Sequence, residues 1–205
     1  MTLLLNGCSY GNSWTSFPGV NLSKDGGSFY RSVRTTMEWI AVNSKPNYVF
    51  IPITFVSRYE ASKISLDTAI EGSYEAGDQK LTAQLSDTCY RDWDYAFMNI
   101  IMFSSWLEQQ GINYLMWDQC NDFDSVAITG FKALEKLKWI DSNPRIIPLF
   151  DFCANKYMYK NGGKWHDGEQ FYQPSIRHYV DSSYASLKEY LDRYIKQTLN
   201  ETIDW

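Results

Sequence analysis

The chain has 205 residues, a net charge of −5 and 44% aliphatic and aromatic residues. That is enough to bury a real hydrophobic core and too much for a disordered chain. The acidic balance, with no Lys/Arg-rich run, argues against nucleic acid as the partner. No apolar stretch approaches the roughly 20 residues that span a bilayer. Met1 leads through Leu3-Leu4-Leu5 to Gly7, too short a run for the apolar region of a signal peptide. Cys8, Cys89, Cys120 and Cys153 include no CxxC pair, which argues against a zinc site and for reduced thiols. The expectation is one domain spanning 1–205 in the cytoplasm, with no membrane partner and no cofactor.

In chain order, Thr2–Leu5 is a short apolar run closed by Asn6-Gly7, the pattern of a buried strand. Residues 11–27 are rich in Gly, Ser, Asn and Pro and predict a loop, with a short strand near Val20–Leu22. Ser28–Val42 predicts a helix capped by Ser28, with Phe29, Val33, Met37, Ile40 and Ala41 on its inner face. Tyr48–Thr54 predicts a second buried strand that frays or ends at Pro52. A polar surface excursion follows over about residues 57–85.

Asp87–Gln110 predicts a long helix stopped by Gly111, and Asn113–Trp117 a third strand. Asp118–Ser125 reads as a solvated acidic loop rather than a cation site, although Asp118, Asp122 and Asp124 are suitable ligand types. A helix over Phe131–Trp139, a short strand over Arg145–Ile147 and a partly helical Phe150–Tyr159 come next. The last helix is expected over Asp181–Leu199, capped by Asp181, with Tyr184, Leu187, Tyr190, Leu191 and Ile195 inward. This alternation implies a mostly parallel sheet with helices on both faces, a three-layer α/β/α sandwich. Ligands of such sheets bind beyond the carboxyl ends of the strands. The 8 Trp, 15 Tyr and 11 Phe are read chiefly as core filling, with ring stacking on a ligand as the functional alternative.

Gly7-Cys8-Ser9-Tyr10-Gly11 fits GxSxG, the sharp turn that exposes a nucleophilic serine. Here it opens the chain, and a histidine, His178, precedes the last helix. That order resembles the SGNH (GDSL-type) hydrolases, in particular divergent members encoded by tailed phages of marine bacteria. Gly7-Cys8-Ser9 matches the family's first block with Cys8 in place of Asp. Gly27 stands where the oxyanion-hole glycine is expected, Thr54 where an Asn side chain is expected, and His178 where the base is expected.

The resemblance implies an SGNH/flavodoxin-like fold, Ser9 as nucleophile, His178 as base, and an oxyanion hole including Gly27 and Thr54. The family's acid lies three residues before the histidine, a place held here by Ser175. The acid is therefore assigned to Asp167, with Glu169, Asp181 or a two-residue dyad as alternatives. His166 is the alternative base. Arg58 is assigned to orienting substrate, or else pairs with Glu60. The implied activity is that of a serine esterase or carbohydrate O-deacetylase acting on a small ester or acylated carbohydrate. The alternative is a catalytically weak or inactive glycan-binding virion component on the same fold, and a phage-encoded chain is expected in the host cytoplasm or the virion. A cation-dependent phosphoesterase is weaker, and neither a GxGxxG nor a P-loop supports nucleotide binding.

Overall fold

The computed structural model describes residues 1–25, 28–54, 61–62, 69–70, 89–120, 131–165 and 178–205, with residues 9, 61–62, 69–70, 89–95 and 131–134 by their backbone. The chain runs β1 (Leu3–Leu5), a one-turn helix α1 (Ser9–Asn12), β2 (Val20–Asn21), α2 (Phe29–Val42) and β3 (Tyr48–Ile53). It continues through β4 (Ala61–Ser62), β5 (Ala69–Ile70), α3 (Cys89–Gln109), β6 (Asn113–Asp118), α4 (Phe131–Ser142) and α5 (Ala154–Lys160). A 3-10 turn over Asp181–Ser183 then leads into α6 (Tyr184–Tyr194), which closes in a π turn over Ile195–Leu199.

The main sheet is parallel, in the order β2-β1-β3-β6. Ile146 adds a single parallel bridge to Met116 beyond β6, so the strand expected over Arg145–Ile147 reduces to one pairing. β4 and β5 pair with each other, antiparallel. The three layers follow from alternation along each strand. Leu4, Val49, Ile51, Ile53, Tyr114 and Met116 face the core that holds Phe29 and Ile40 of α2, Phe97, Ile100 and Leu107 of α3, and Ile140 of α4. Leu3, Leu5, Tyr48, Phe50, Leu115 and Trp117 face the other core, with Met158 of α5 and Tyr184, Leu187 and Leu191 of α6. Both faces are dry, so the strands are continuous apolar runs.

Several local expectations change. β3 runs through Pro52 to Ile53. In a parallel strand alternate residues bond to opposite neighbours. Phe50 presents its carbonyl to Asn6 on the β1 side, and Ile53 presents its own to Gln119 on the β6 side. Pro52 shares the Phe50 side, where β1 has already ended, so its missing N–H breaks no ladder bond. The inner face of α2 is Phe29, Ser32, Thr36 and Ile40, while Met37 and Ala41 face solvent. Thr35 and Thr36 turn their hydroxyls to meet Asn6, while the Ser32 hydroxyl donates to the Ser28 carbonyl. Ser28 caps it as expected, accepting from the Arg31 N–H. Asp118 is fully buried as the last residue of β6 rather than solvated, and residues 122 and 124 lie outside the described set. Gly111, at φ +66°, ends α3 in the left-handed conformation glycine adopts freely.

At the end of the sheet away from the strands' carboxyl termini, Arg145 pairs with Glu201 at 2.5 Å. Its guanidinium lies 6.0 and 5.9 Å from the ring centroids of Tyr48 and Tyr114. The Tyr114 hydroxyl donates to Glu108 and accepts from Asn143. No described helix is long and apolar enough to cross a membrane.

Burial, above all, holds the Tyr48, Tyr114 and Tyr184 phenols well above their ordinary range. The unfolded phenols ionise near about 10 while the native ones keep their protons. Above that pH the unfolded state binds fewer protons, so stability falls as pH rises toward the folded values. Urea midpoints are expected to be flat from pH 7 to 9 and to drop steeply by pH 11. The double variant Y48F/Y114F should show a shallower drop.

Candidate active site at the switch point of the sheet

From β1 the chain first moves to β2 on one side and then crosses to β3 on the other. The strand order therefore reverses beside β1, and the crevice beyond β1 and β3 is where open α/β sheets place ligands. Ser9 lies at that point, as the first residue of α1. The Asn12 N–H donates to the Cys8 carbonyl at 3.0 Å, closing the turn around it.

Both glycines of the motif are required by close approach. A Cβ on Gly7 would lie 2.6 Å from Pro52 Cγ, and one on Gly11 would collide with the Ser23 side chain. Hydrogen bonds then pin the turn to the strand beside it. The Gly7 N–H donates to Ser23 Oγ at 2.9 Å, the Lys24 N–H to the Gly7 carbonyl at 3.2 Å, and Asn21 Nδ2 to the Gly11 carbonyl at 2.9 Å. Asn12 Nδ2 reaches Asp25 at 3.0 Å.

Beneath the turn, the fully buried Asn6 points its amide nitrogen at the Ser32 carbonyl, Thr35 Oγ1 and Thr36 Oγ1, at 3.0, 2.8 and 2.9 Å. The Arg31 guanidinium bridges from the Leu22 carbonyl at 3.1 Å toward Asn6 Oδ1 at 3.5 Å. A second buried polar chain lies at the end of β6. Trp117 Nε1 donates to Gln119 Oε1 at 2.9 Å, and Gln119 Nε2 donates to Asn155 Oδ1 at 2.8 Å. It anchors α5 to the carboxyl edge of the sheet.

His178 is half-buried and stacks on Tyr10, with ring centroids 4.7 Å apart and planes 20° from parallel. The C-terminal segment is thereby held against the residue next to Ser9. The Tyr184 phenol donates to the Tyr10 carbonyl, and its raised pKa keeps that proton in place. Ser183 Oγ exchanges hydrogen bonds with the Lys164 backbone, both at 2.8 Å, and Tyr179 pairs with Trp165. Asp181 does not cap α6. It begins the 3-10 turn, and its carboxylate accepts the Ser16 N–H at 2.8 Å. This contact ties the His178 segment to the loop after α1.

The other expected site residues fall as follows. Thr54 directly follows β3 and is fully buried. Gly27, Arg58, Glu60, His166, Asp167 and Glu169 lie outside the described residues. Cys8 is buried with Tyr10 and Cys120. Among the aromatics, Trp14, Phe17, Phe50 and Tyr184 pack inside the second core, with the partly buried Trp205 against them.

The fold is a three-layer α/β/α sandwich similar to that of a GDSL-like lipase from Bacteroides thetaiotaomicron. That structure matches at TM-score 0.52 and 12% identity, over 96% of this chain and 88% of the lipase. The C-terminal catalytic domain of peptidoglycan O-acetyltransferase A from Streptococcus pneumoniae aligns at TM-score 0.46 and 10% identity, over 97% of this chain and 94% of that one. No family model matches the chain, and no curated protein does.

Gly7→Ala tests the close approach. The added methyl overpacks the crevice against Pro52, which should cost about 1–3 kcal/mol in urea unfolding. A neutral substitution would mean that the turn does not depend on this contact.

Proposed function

We propose that the chain is a serine hydrolase of SGNH type, an esterase or carbohydrate O-deacetylase that works through an acyl-enzyme on Ser9. The observation that carries the reading is the stack of His178 on Tyr10. It sets a histidine from the C-terminal part of the chain beside the Ser9 turn, in the crevice where this fold class binds ligands. The likeness of the fold to a GDSL-like lipase supports it as well.

In this reading His178 takes the Ser9 hydroxyl proton as Oγ attacks the acyl carbonyl. The backbone N–H groups of Ser9 and Gly27 and the Thr54 hydroxyl donate to the developing oxyanion. The C–O bond to the leaving alcohol breaks, and His178 returns the proton to that alcohol. Water then attacks the acyl-serine with the same base, releasing the acid and regenerating Ser9. Ser9 and His178 act as a dyad, or as a triad completed by Asp167. The substrate is a small ester or an acylated carbohydrate, and no cofactor takes part.

Two measurements test this. Hydrolysis of p-nitrophenyl acetate should fall about 10³-fold or more in both Ser9→Ala and His178→Ala, with the fold retained by circular dichroism. A fluorophosphonate probe should label the native chain and not Ser9→Ala, since only an activated serine reacts readily. Unchanged turnover in Ser9→Ala would overturn the proposal. A folded native chain that neither turns over nor labels would instead favour a glycan-binding module.

A further inference from the structure

We infer that Tyr10 is a positioning residue for His178: its ring face sets the plane in which the imidazole is presented to Ser9. The inference rests on the hydrolase reading above and adds to it a residue that GxSxG and the order of site residues do not assign.

Tyr10 is only 1% exposed and packs with Cys8 and Cys120. Its backbone belongs to the α1 turn, and its carbonyl takes the Tyr184 phenol hydrogen. Tyr184 is itself buried, stacked on Trp14 at 5.3 Å and 20°. The Tyr10 ring is therefore a fixed wall. The His178 imidazole lies against it at 4.7 Å, 20° from parallel. A ring flush on a fixed wall cannot tilt out of its plane without losing the contact, although it can still turn within that plane. Planar contact of this kind is favourable for aromatic pairs.

A general base works only when its nitrogen is aimed at the proton that it takes. In serine hydrolases a carboxylate hydrogen-bonded to the far ring nitrogen supplies orientation and stabilises the imidazolium. The stack supplies orientation alone, through shape. It does so from the residue adjacent to the nucleophile, so any shift of the turn moves Ser9 and the wall together. The base is thus registered on the turn, not only on the C-terminal segment that carries it.

The stack is a contact of the ring, so Phe should serve and an aliphatic residue should not. Tyr10→Leu is expected to lower kcat on p-nitrophenyl acetate by about 10- to 100-fold, the scale of a small misplacement of a reacting group. KM should stay within about twofold, because substrate binding is not what the ring controls. Tyr10→Phe should keep kcat within about threefold of the native value. The stack also has a signature independent of activity. The chain holds only two histidines, and the ring protons of His178, assigned by comparison with His166→Gln, should resonate upfield. They should stay upfield in Tyr10→Phe and return downfield in Tyr10→Leu.

If Tyr10→Leu does not fold, Tyr184→Phe carries the test. It keeps every ring and removes only the hydrogen bond to the Tyr10 carbonyl. It should lower kcat by roughly 3- to 10-fold and weaken the upfield shift. Native kcat in Tyr10→Leu, equal loss in Tyr10→Phe and Tyr10→Leu, or no effect of Tyr184→Phe on rate and shift where Leu fails to fold would each overturn the inference. Failure of the hydrolase reading is seen separately, as turnover unaffected by Ser9→Ala.

Discussion

The contact between Gly7 and Pro52 governs the architecture around it. Two parallel strands of unequal length lie side by side, and the shorter, β1, must turn away while β3 continues. Only a residue without a side chain can turn so close to the proline ring, since a Cβ there would fall 2.6 Å from Pro52 Cγ. The proline in turn is tolerated because β1 has ended on the side that would have needed its N–H. Each residue makes the other acceptable. Together they place the next residues, Cys8 to Asn12, at the reversal of strand order.

A turn so close to the core has to satisfy its polar groups without water. The Asn6 amide is buried directly beneath it, and α2 answers with a carbonyl and two hydroxyls. This explains why α2 turns Thr36 and the Ser32 carbonyl inward when its apolar residues could have supplied a wider greasy stripe. The helix gives up some hydrophobic burial at that end and gains a satisfied polar cluster. Buried amides cost little when fully paired and a great deal when not. The cluster therefore specifies the rotation of α2 about its axis as well as adding stability.

The layer order was legible in the sequence because both faces of the sheet are dry. Leu3–Leu5, Tyr48–Ile53 and Asn113–Trp117 stand out as apolar runs with no alternation to confuse them. The turn at Ser9 was legible for a related reason, since two glycines mark a close approach of backbone. The inner face of α2 was not, because periodicity ranks Val33 and Met37 above Ser32 and Thr36 and carries no knowledge of Asn6. Asp118 and Asp181 were misread in the same way. Each looks like a loop or cap residue locally, but one is buried at a strand end and the other is bonded to Ser16. The role of Tyr10 depends on residues at the far end of the chain, which no local pattern reports.

The second core is rich in rings where distant parts of the chain meet. Tyr184 and Tyr10 stand 174 positions apart and are joined by one hydrogen bond. Loop-closure entropy grows only slowly with length, but the ends must still be held once they meet. Trp14, Phe17, Phe50, Tyr184 and Trp205 form a continuous set of ring contacts at this junction. Such rings bury large areas with few rotatable bonds. They fasten the loop after α1, the middle of β3, the start of α6 and the C-terminal tail into one body. The wall behind His178 is tied to that body by the Tyr184 hydrogen bond to the Tyr10 carbonyl. Among the described residues, the aromatic content read chiefly as core filling acts in that way, and it holds the two halves of the candidate site together.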